Sequence, residues 1–576
     1  MTNLKTFLIC VLVICAFTLQ AQQFNRISNI QPVAEAGWSF GISWVDYNND
    51  GYPDLHISNL IFGSNEAVNI LYQNNGNGTY SRNLDRAVVH DGGSVASTWA
   101  DIDGDGDIDA YIACPEHLNY LYLNNDDGTF TKEDKGIRGS MIETTQDVIW
   151  VDYNGDGILD LFVANHNPHA NPNIKGCQLY KNTGDSFELQ DNTEIGLIQD
   201  EGGGSTWFDM DNDGDEDVIW TRNANHPVFF ENNGDGTFAP LIDNVITNPP
   251  NKYLFNPADF DNDGDLDLFT ASYPDPPQLL ENFGSGNFQL LNDQEMASDE
   301  GFWTGGYWGD YDNDGWIDLY MTAHQMYNPH VNRLYRNNGN GTFSQVESEI
   351  VARDSEPSSA AVWADHDLDG DLDLFVSNVN NHNNTLYNNR GNDHAWIQVY
   401  LLGEQLNRSA LGAKIRIKAS INGSTFWQMR EIVAHHGCFA QGPLTAHFGL
   451  GDAQVVDSLL IEWPDGEVKI LTEVQVRQRL EVNKVSVMSS LPAEGSFKTP
   501  VRVYPNPCFD HLTVSTGGYG GRCLVELFNT RGCMVAQLTS NENMINMNLK
   551  GLAPGYYICK ISIASILQFH KLLKMS

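Results

Sequence analysis

The sequence predicts an all-β chain: a seven-bladed β-propeller, then a small β-rich domain, then a C-terminal β-sandwich. Three observations predict it. An acidic nine-residue string recurs seven times at intervals of 50 to 57 residues. Each of the first six copies is followed by a second repeated string with the character of a hairpin. The charge changes abruptly along the chain. Residues 22–393 hold 62 acidic and 14 basic side chains, residues 394–487 hold nine of each, and residues 488–576 hold four against eight.

Before the repeats, residues 1–21 read as a secretory signal peptide. Lys5 supplies the positive start, Phe7 to Leu19 the apolar stretch and Ala21 the small residue before the cut. The stretch is shorter than the roughly 20 apolar residues of a membrane span, and no second one follows, so no transmembrane segment is expected in the mature chain. Of nine cysteines, Cys10 and Cys15 leave with the signal. Four of the other seven (Cys508, Cys523, Cys533 and Cys559) lie near the C-terminus, too sparse for a disulfide framework and without a zinc spacing. The 576 residues exceed what one core supports. Hydrophobic content of 41% provides for packed cores in spite of a net charge of −43. That charge excludes nucleic acid as partner and disfavours an anionic lipid surface, because both repel it.

The repeated acidic strings are DYNNDGYPD, DIDGDGDID, DYNGDGILD, DMDNDGDED, DFDNDGDLD, DYDNDGWID and DHDLDGDLD. Oxygen-bearing side chains stand at positions 1, 3, 5 and 9, with glycine at position 6. Calcium takes six to eight hard oxygen ligands, and glycine permits the turn that gathers them. Position 7 offers its backbone carbonyl, and an Asp side chain there is expected to point away or add outer charge. The seven candidate sites are therefore as follows: Asp46, Asn48, Asp50 and Asp54 with Tyr52; Asp101, Asp103, Asp105 and Asp109 with Asp107; Asp152, Asn154, Asp156 and Asp160 with Ile158. Next come Asp209, Asp211, Asp213 and Asp217 with Asp215, then Asp259, Asp261, Asp263 and Asp267 with Asp265. The last two are Asp310, Asp312, Asp314 and Asp318 with Trp316, and Asp365, Asp367, Asp369 and Asp373 with Asp371. Crowded carboxylates repel one another without a cation, so up to seven calcium ions are expected. Asn48 and Asn154 replace a carboxylate, which marks sites one and three as the weakest.

These are not EF-hands. An EF-hand has a bidentate Glu at position 12 followed by a helix. Position 12 here is Ile57, Ile112, Val163, Trp220, Thr270, Met321 or Val376, and sequences such as IDLYMTA alternate as strands do. The loop therefore joins two strands. The second string (LYQNNGNGTY, LYLNNDDGTF, LYKNTGDSF, FFENNGDGTF, LLENFGSGNF, LYRNNGNGTF) adds a hairpin, giving four strands per period. Four-stranded units repeated radially make a propeller. The seventh repeat keeps Leu386 to Asn389 but lacks a final strand, so the orphan segment Gln23 to Ile27 is expected to complete it, with Phe24 in the place of Phe130 or Phe343. Trp44, Trp99, Trp150, Trp207, Trp308 and Trp363 stand two residues before their loops, with Pro257 in blade five. A fixed offset inside a strand favours packing between blades over sugar stacking.

The strings resemble the FG-GAP/VCBS repeats of integrin α-chain propellers and bacterial surface proteins, a resemblance that covers residues 22–393 and implies calcium in the loops. Residues 394–487 resemble the ASPIC/UnbV domain through Asn407-Arg408, Gly412-Ala413, His447 to Gly451 and Trp463 to Gly466. The paired His435–His436 has no nearby acidic partner in sequence and reads as structural or surface histidine. After a linker at 488–496, residues 497–576 open with VYPNP and close with KLLK. They resemble the Bacteroidetes type IX secretion sorting domain, which implies handling by that machinery and a secreted or outer-surface location.

No catalytic constellation is present: there is no G-x-S-x-G elbow, no phosphate-cradling loop and no H-E-x-x-H. The expectation is a non-catalytic calcium scaffold that recognises a glycan or a surface protein. A polysaccharide lyase or hydrolase and a purely structural surface component are the alternatives. Loops on a rigid scaffold carry binding, and the connections away from the acidic loops are rich in Asn, His, Tyr and Pro. His166, His169, His324, Tyr327 and His330 are the ligand-binding candidates there.

Overall fold

The structure is a computed structural model that describes residues 23–484 and 502–574, less connections at 62–67, 85–92, 116–117, 138–144, 166–175, 196–201, 223–226, 242–251, 325–330 and shorter stretches. The signal-peptide and linker assignments, and His166, His169, Tyr327 and His330, lie outside the described residues.

Alternating apolar residues and a turn every few residues give seven antiparallel sheets between Phe24 and Asn389, six of four strands and one whose four strands are joined by a fifth, Ala440–Gln441. Their inner strands are Ser39–Val45, Ala96–Ala100, Thr145–Val151, Gly202–Phe208, Lys252–Ala258, Trp303–Gly309 and Ser358–Ala364. Each packs on the next, and the seventh packs on the first, so the ring closes. Closure is covalently staggered. The strand Phe24–Ile27 pairs with Thr385–Asn389, and Phe24 faces Asn389 as Phe130 faces Asn124 and Phe343 faces Asn337. The first strand described is thus the outer strand of the last blade, as the sequence predicts.

The tryptophans hold blades together. Trp44, Trp99 and Trp150 are fully buried. Trp44 meets Phe375 of blade seven edge-on, Trp150 meets Tyr111, Trp207 meets Phe162 and Trp363 meets Tyr320, with centroids 5.4 to 6.2 Å apart. Edge-to-face contact of this kind adds to the burial itself. Pro257 lies in the inner strand of blade five opposite Leu268.

Residues 395–483 form a four-stranded sheet (order Ser424–Glu431, Lys414–Ile421, Val455–Glu462, Val468–Gln475) and a three-stranded one centred on Ala395–Leu402. Their core is continuous with that of blades two and three, through Ile397, Leu401 and Leu411 on one side and Ile102, Trp150 and Leu159 on the other. Residues 502–574 form two sheets of three and four strands around Leu512, Val525, Ile545 and Ile561, a β-sandwich. Cys114, Cys177, Cys523 and Cys559 are buried.

Candidate metal centres and their cover

Every acidic loop has the same backbone. Position 6 glycine is left-handed in all seven, from Gly157 at φ 80° to Gly106 at φ 106°. Position 4 is left-handed too: Asn49, Asn212, Asn262, Asn313 and Leu368 have φ of 55° to 61°, and Gly104 and Gly155 occupy the other two loops. Asn and Gly tolerate that region and Leu does not, so Leu368 is held there by its surroundings. Two left-handed residues two apart fold the chain around a point. The carboxylate at position 1 then accepts from backbone N–H groups of the same loop: Asp310 Oδ1 from Asp314 N (3.0 Å) and Oδ2 from Gly315 N (2.9 Å), with the same pattern at Asp46, Asp152, Asp209 and Asp365.

Position 9 is at most 1% exposed in every loop. Its Oδ1 accepts the backbone N–H of the asparagine that ends the third strand of the same blade, as Asp217 does from Asn232 (2.7 Å) and Asp318 from Asn337 (2.8 Å). The amide side chain of that asparagine donates to the position 8 carbonyl of its own loop and to the position 2 carbonyl of the preceding blade. Asn282 reaches Leu266 O (3.1 Å) and Met210 O (2.8 Å), and Asn389 reaches Leu372 O and Tyr311 O. These asparagines (Asn74, Asn124, Asn182, Asn232, Asn282, Asn337, Asn389) clamp loop to hairpin. The repeated NN of the hairpin strings carried the signal, which reading them as turn residues missed.

Adjacent loops are also tied to one another. Asn49 Nδ2 donates to Asp107 Oδ1 (2.9 Å), Asn212 to Asp265 (2.6 Å) and Asn313 to Asp371 (2.9 Å). The expectation from sequence is that a position 7 Asp points away or adds outer charge; Asp107, Asp265 and Asp371 each reach the preceding loop. Each accepts from it because position 4 of that loop aims its amide across the gap.

Carboxylate oxygens of Asp101, Asp103 and Asp109 lie within 4.8 Å of one another, as do those of Asp209, Asp211 and Asp217, of Asp259, Asp261 and Asp263, and of Asp310, Asp312 and Asp318. In loop seven the group is His366, Asp367 and Asp373. Oδ2 of Asp54, Oδ1 of Asp103, Oδ1 of Asp312 and both oxygens of Asp259 are buried without a hydrogen-bond partner. Burial, then neighbouring carboxylates, raise these groups: Asp109 and Asp259 to about 8, Asp152 to about 6 and Asp365 to about 7. At Asp54 and Asp160 burial, partly offset by a backbone hydrogen bond, gives about 9. Asp54, Asp109, Asp160 and Asp259, raised above neutrality, would be fully ionised at neutral pH only with a cation among them. The donor set, all oxygen and mostly carboxylate, fits a hard divalent ion such as calcium.

Residues 395–483 cover this crown and touch every loop. Arg479 donates to Gly51 O, Ser409 Oγ accepts from Asp101 N (2.9 Å), and Leu406 O from Leu159 N (3.2 Å). Lys414 Nζ lies 2.6 Å from both Asp209 Oδ2 and Asn212 Oδ1, and Arg416 donates to Gly264 O (3.0 Å). His447 bonds Asn313 (2.7 Å), and Gln398 donates to Asp365 Oδ2 (2.7 Å). Burial would lower the Lys414 ammonium, but Asp209 and Glu431 hold it above its ordinary value.

The segment Ile432–Pro443 enters the ring at its axis. Ala440–Gln441 pairs in parallel with Ile42–Ser43 of blade one. Gln441 exchanges two hydrogen bonds with the Trp99 backbone, both 2.8 Å, and Asn256 Nδ2 donates to His436 O (3.3 Å). A cavity of about 210 Å³ remains beside it, lined in part by Arg430, His435 and His436. The histidine pair is buried, which accords with a structural role, but its lack of an acidic neighbour is corrected: His435 Nε2 is 3.5 Å from Asp147 Oδ2 of blade three. On the opposite face, the described candidate His324 is packed edge-on against Phe302 with centroids 5.5 Å apart, and burial lowers its pKa.

The comparisons agree with this architecture. Residues 101–163, 209–270, 259–321 and 322–376 match the FG-GAP-like repeat, residues 403–487 match ASPIC and UnbV, and residues 502–575 match the secretion system C-terminal sorting domain. The chain thus combines FG-GAP repeats, an ASPIC/UnbV domain and a sorting domain, which marks it for type IX secretion to the cell surface or beyond. It is similar to cartilage acidic protein 1 of Homo sapiens, 23% identical over 75% of this chain and 69% of the relative. The Xenopus tropicalis protein is 24% identical over 77% and 73%. Among solved structures, the Dos1 propeller covers 65% of this chain and 95% of its own at 10% identity and a TM-score of 0.39. The matched families are of repeat and scaffold type. Among the described residues no helix is long and apolar enough to cross a membrane.

Proposed function

We propose that the protein is a calcium-loaded, non-catalytic scaffold at the cell surface or outside the cell, which recognises a glycan or a surface protein. The buried, unpartnered carboxylate oxygens in the acidic loops carry this reading. Asp259 is the plainest case, 2% exposed with neither oxygen hydrogen-bonded. Positions 1, 3, 5 and 9 and the position 7 carbonyl would hold the ion, whose charge offsets their repulsion and fixes the loop. Sites one and three, with Asn48 and Asn154, are expected to bind more weakly.

A charge already neutralised by a metal is unavailable as general acid or base, which favours recognition over hydrolysis. Because residues 395–483 and the inserted Gln441 cover the crown and the axis, a partner meets the opposite face, where the strands ending at Asn165 and Ala323 stop and His324 lies. The test is a glycan array probed with the protein in calcium and in chelator, with released fragments monitored. Calcium-dependent binding without cleavage is expected. Fragment release would establish an enzyme, and a blank array with strong calcium stabilisation would leave a structural component.

A further inference from the structure

The seven loops differ in one contact that the nine-residue strings do not contain. The residue just before each clamping asparagine is Gln73, Leu123, Lys181, Glu231, Glu281, Arg336 or Asn388. Where its side chain carries a hydrogen bond or charge, it faces positions 3 and 5 of its own loop. Arg336 Nε is 2.9 Å from Asp312 Oδ2, and its Nη2 is 2.7 Å from Asp314 Oδ2. Lys181 Nζ is 3.0 Å from Asp156 Oδ2, and Asn388 Nδ2 donates to Asp367 Oδ2 (3.1 Å). In blades four and five the residue at the same register of the third strand is an acid: Glu231 and Glu281 pair with the fourth strand at Ala239 and Gln289 as Arg336 pairs at Ser344 and Lys181 at Glu188.

We propose that this third-strand residue adjusts the calcium affinity that each loop's own ligands set, making site five the tightest and weakening sites three and six. The inference rests on calcium occupying the loops and says which residue grades them. A carboxylate beside positions 3 and 5 adds attraction for a divalent ion, whereas a guanidinium or ammonium already bonded to those oxygens must be displaced or must share them. Loop five joins Glu281 to a buried Asp259 whose oxygens no side chain hydrogen-bonds, and the one base that acts on Asp259, Arg430, is shared with Asp310. Loop three joins Lys181 to the neutral Asn154, and is the poorest of all. Loop six has four aspartates at its ligand positions, yet Arg336 engages two of them, so counting carboxylates alone would rank it too high. In loop four, the charge of Glu231 is opposed by Lys414 on Asp209, which puts site four below site five.

The test counts bound calcium by native mass spectrometry on the purified protein at stepped free calcium, with circular dichroism as a check of folding. Arg336→Glu should move one ion to about tenfold lower free calcium, and Lys181→Gln should do the same by a smaller factor. Glu281→Lys should move the first ion to bind to about tenfold higher free calcium, and Glu281→Gln, which keeps the shape, should move it part of the way. Titrations of all four folded variants that superimpose on the parent would overturn the grading while leaving calcium binding intact. Absence of bound calcium in the parent at millimolar concentration would overturn the calcium reading itself.

Discussion

The ring of acidic loops and the domain that covers it make an instructive pair. Residues 22–393 carry 62 acids to 14 bases, whereas residues 394–487 carry nine of each. By net charge the second region has nothing to offer the first. Its bases are nonetheless sorted: Arg479, Lys414 and Arg416 reach loops one, four and five, and Arg430 is buried where Asp310 and Asp259 act on it. A neutral domain thus presents a basic face to an acidic crown. On the function proposed above, the loops would serve two kinds of cation, an ion within the loop and side chains held against its rim.

Removing the inner cation should have the larger effect. At ~1 mM calcium and a dissociation constant of ~0.1 mM, each site adds roughly 1.4 kcal/mol by linkage. Seven independent sites would approach about 10 kcal/mol, as much as a typical domain's entire stability. Chelation should therefore lower the melting temperature by more than about 10 °C in a thermal scan. An unchanged melting temperature would remove calcium from the stability account.

Removing an outer cation should cost less and act locally. Lys414→Met leaves Asp209 and Glu431 buried without their ammonium, a loss of about 3 kcal/mol. It should expose residues 395–483 to limited proteolysis while the ring retains its calcium. If the variant instead loses calcium and keeps the domain docked, the division between inner and outer cations is wrong.

The clamping asparagines test the ring alone. Asn282→Ala removes the two side-chain hydrogen bonds to Met210 and Leu266 and leaves both carbonyls buried, a cost of about 2 kcal/mol measurable by denaturant unfolding. Gln441→Ala tests the axis, where two hydrogen bonds to Trp99 are lost, and about 1–2 kcal/mol is expected.

The comparison also fixes a sign with pH. Burial raises Asp101 and Asp152 to about 6, Asp109 and Asp259 to about 8, and Asp54 and Asp160 to about 9. A carboxyl raised on folding contributes stability that is full below its unfolded value, near pH 4, and is lost as pH rises through the folded one. In chelator, melting temperature should fall between pH 5.5 and 8. In calcium the trend should reverse, because protons compete for the same oxygens. A chelated protein that gains stability with rising pH over that window would contradict the burial of these groups.

Much of the ring was legible because its chemistry repeats. Loop spacing, the hairpin strings and the closing role of Phe24 all follow from periodic local patterns. Asparagine at position 4 and before the hairpin turn stood in the same strings, but its partners lie one blade away, so local reading saw only turn residues. The covering domain was not legible in its placement. Ser409, Lys414, His447 and Gln441 contact loops and strands far away in sequence, and Asp147 meets His435 across half the chain. No period marks such pairs, since shape and charge at a docked surface select them one at a time.

The central claim is that the buried carboxylates hold calcium, and the most direct measurement is the number of ions bound per chain. Native mass spectrometry of the protein at ~1 mM free calcium should show up to seven bound ions, all removed by chelator, within the range of affinities known for extracellular calcium modules. A chain that carries no calcium under those conditions, and keeps its melting temperature in chelator, would contradict the account.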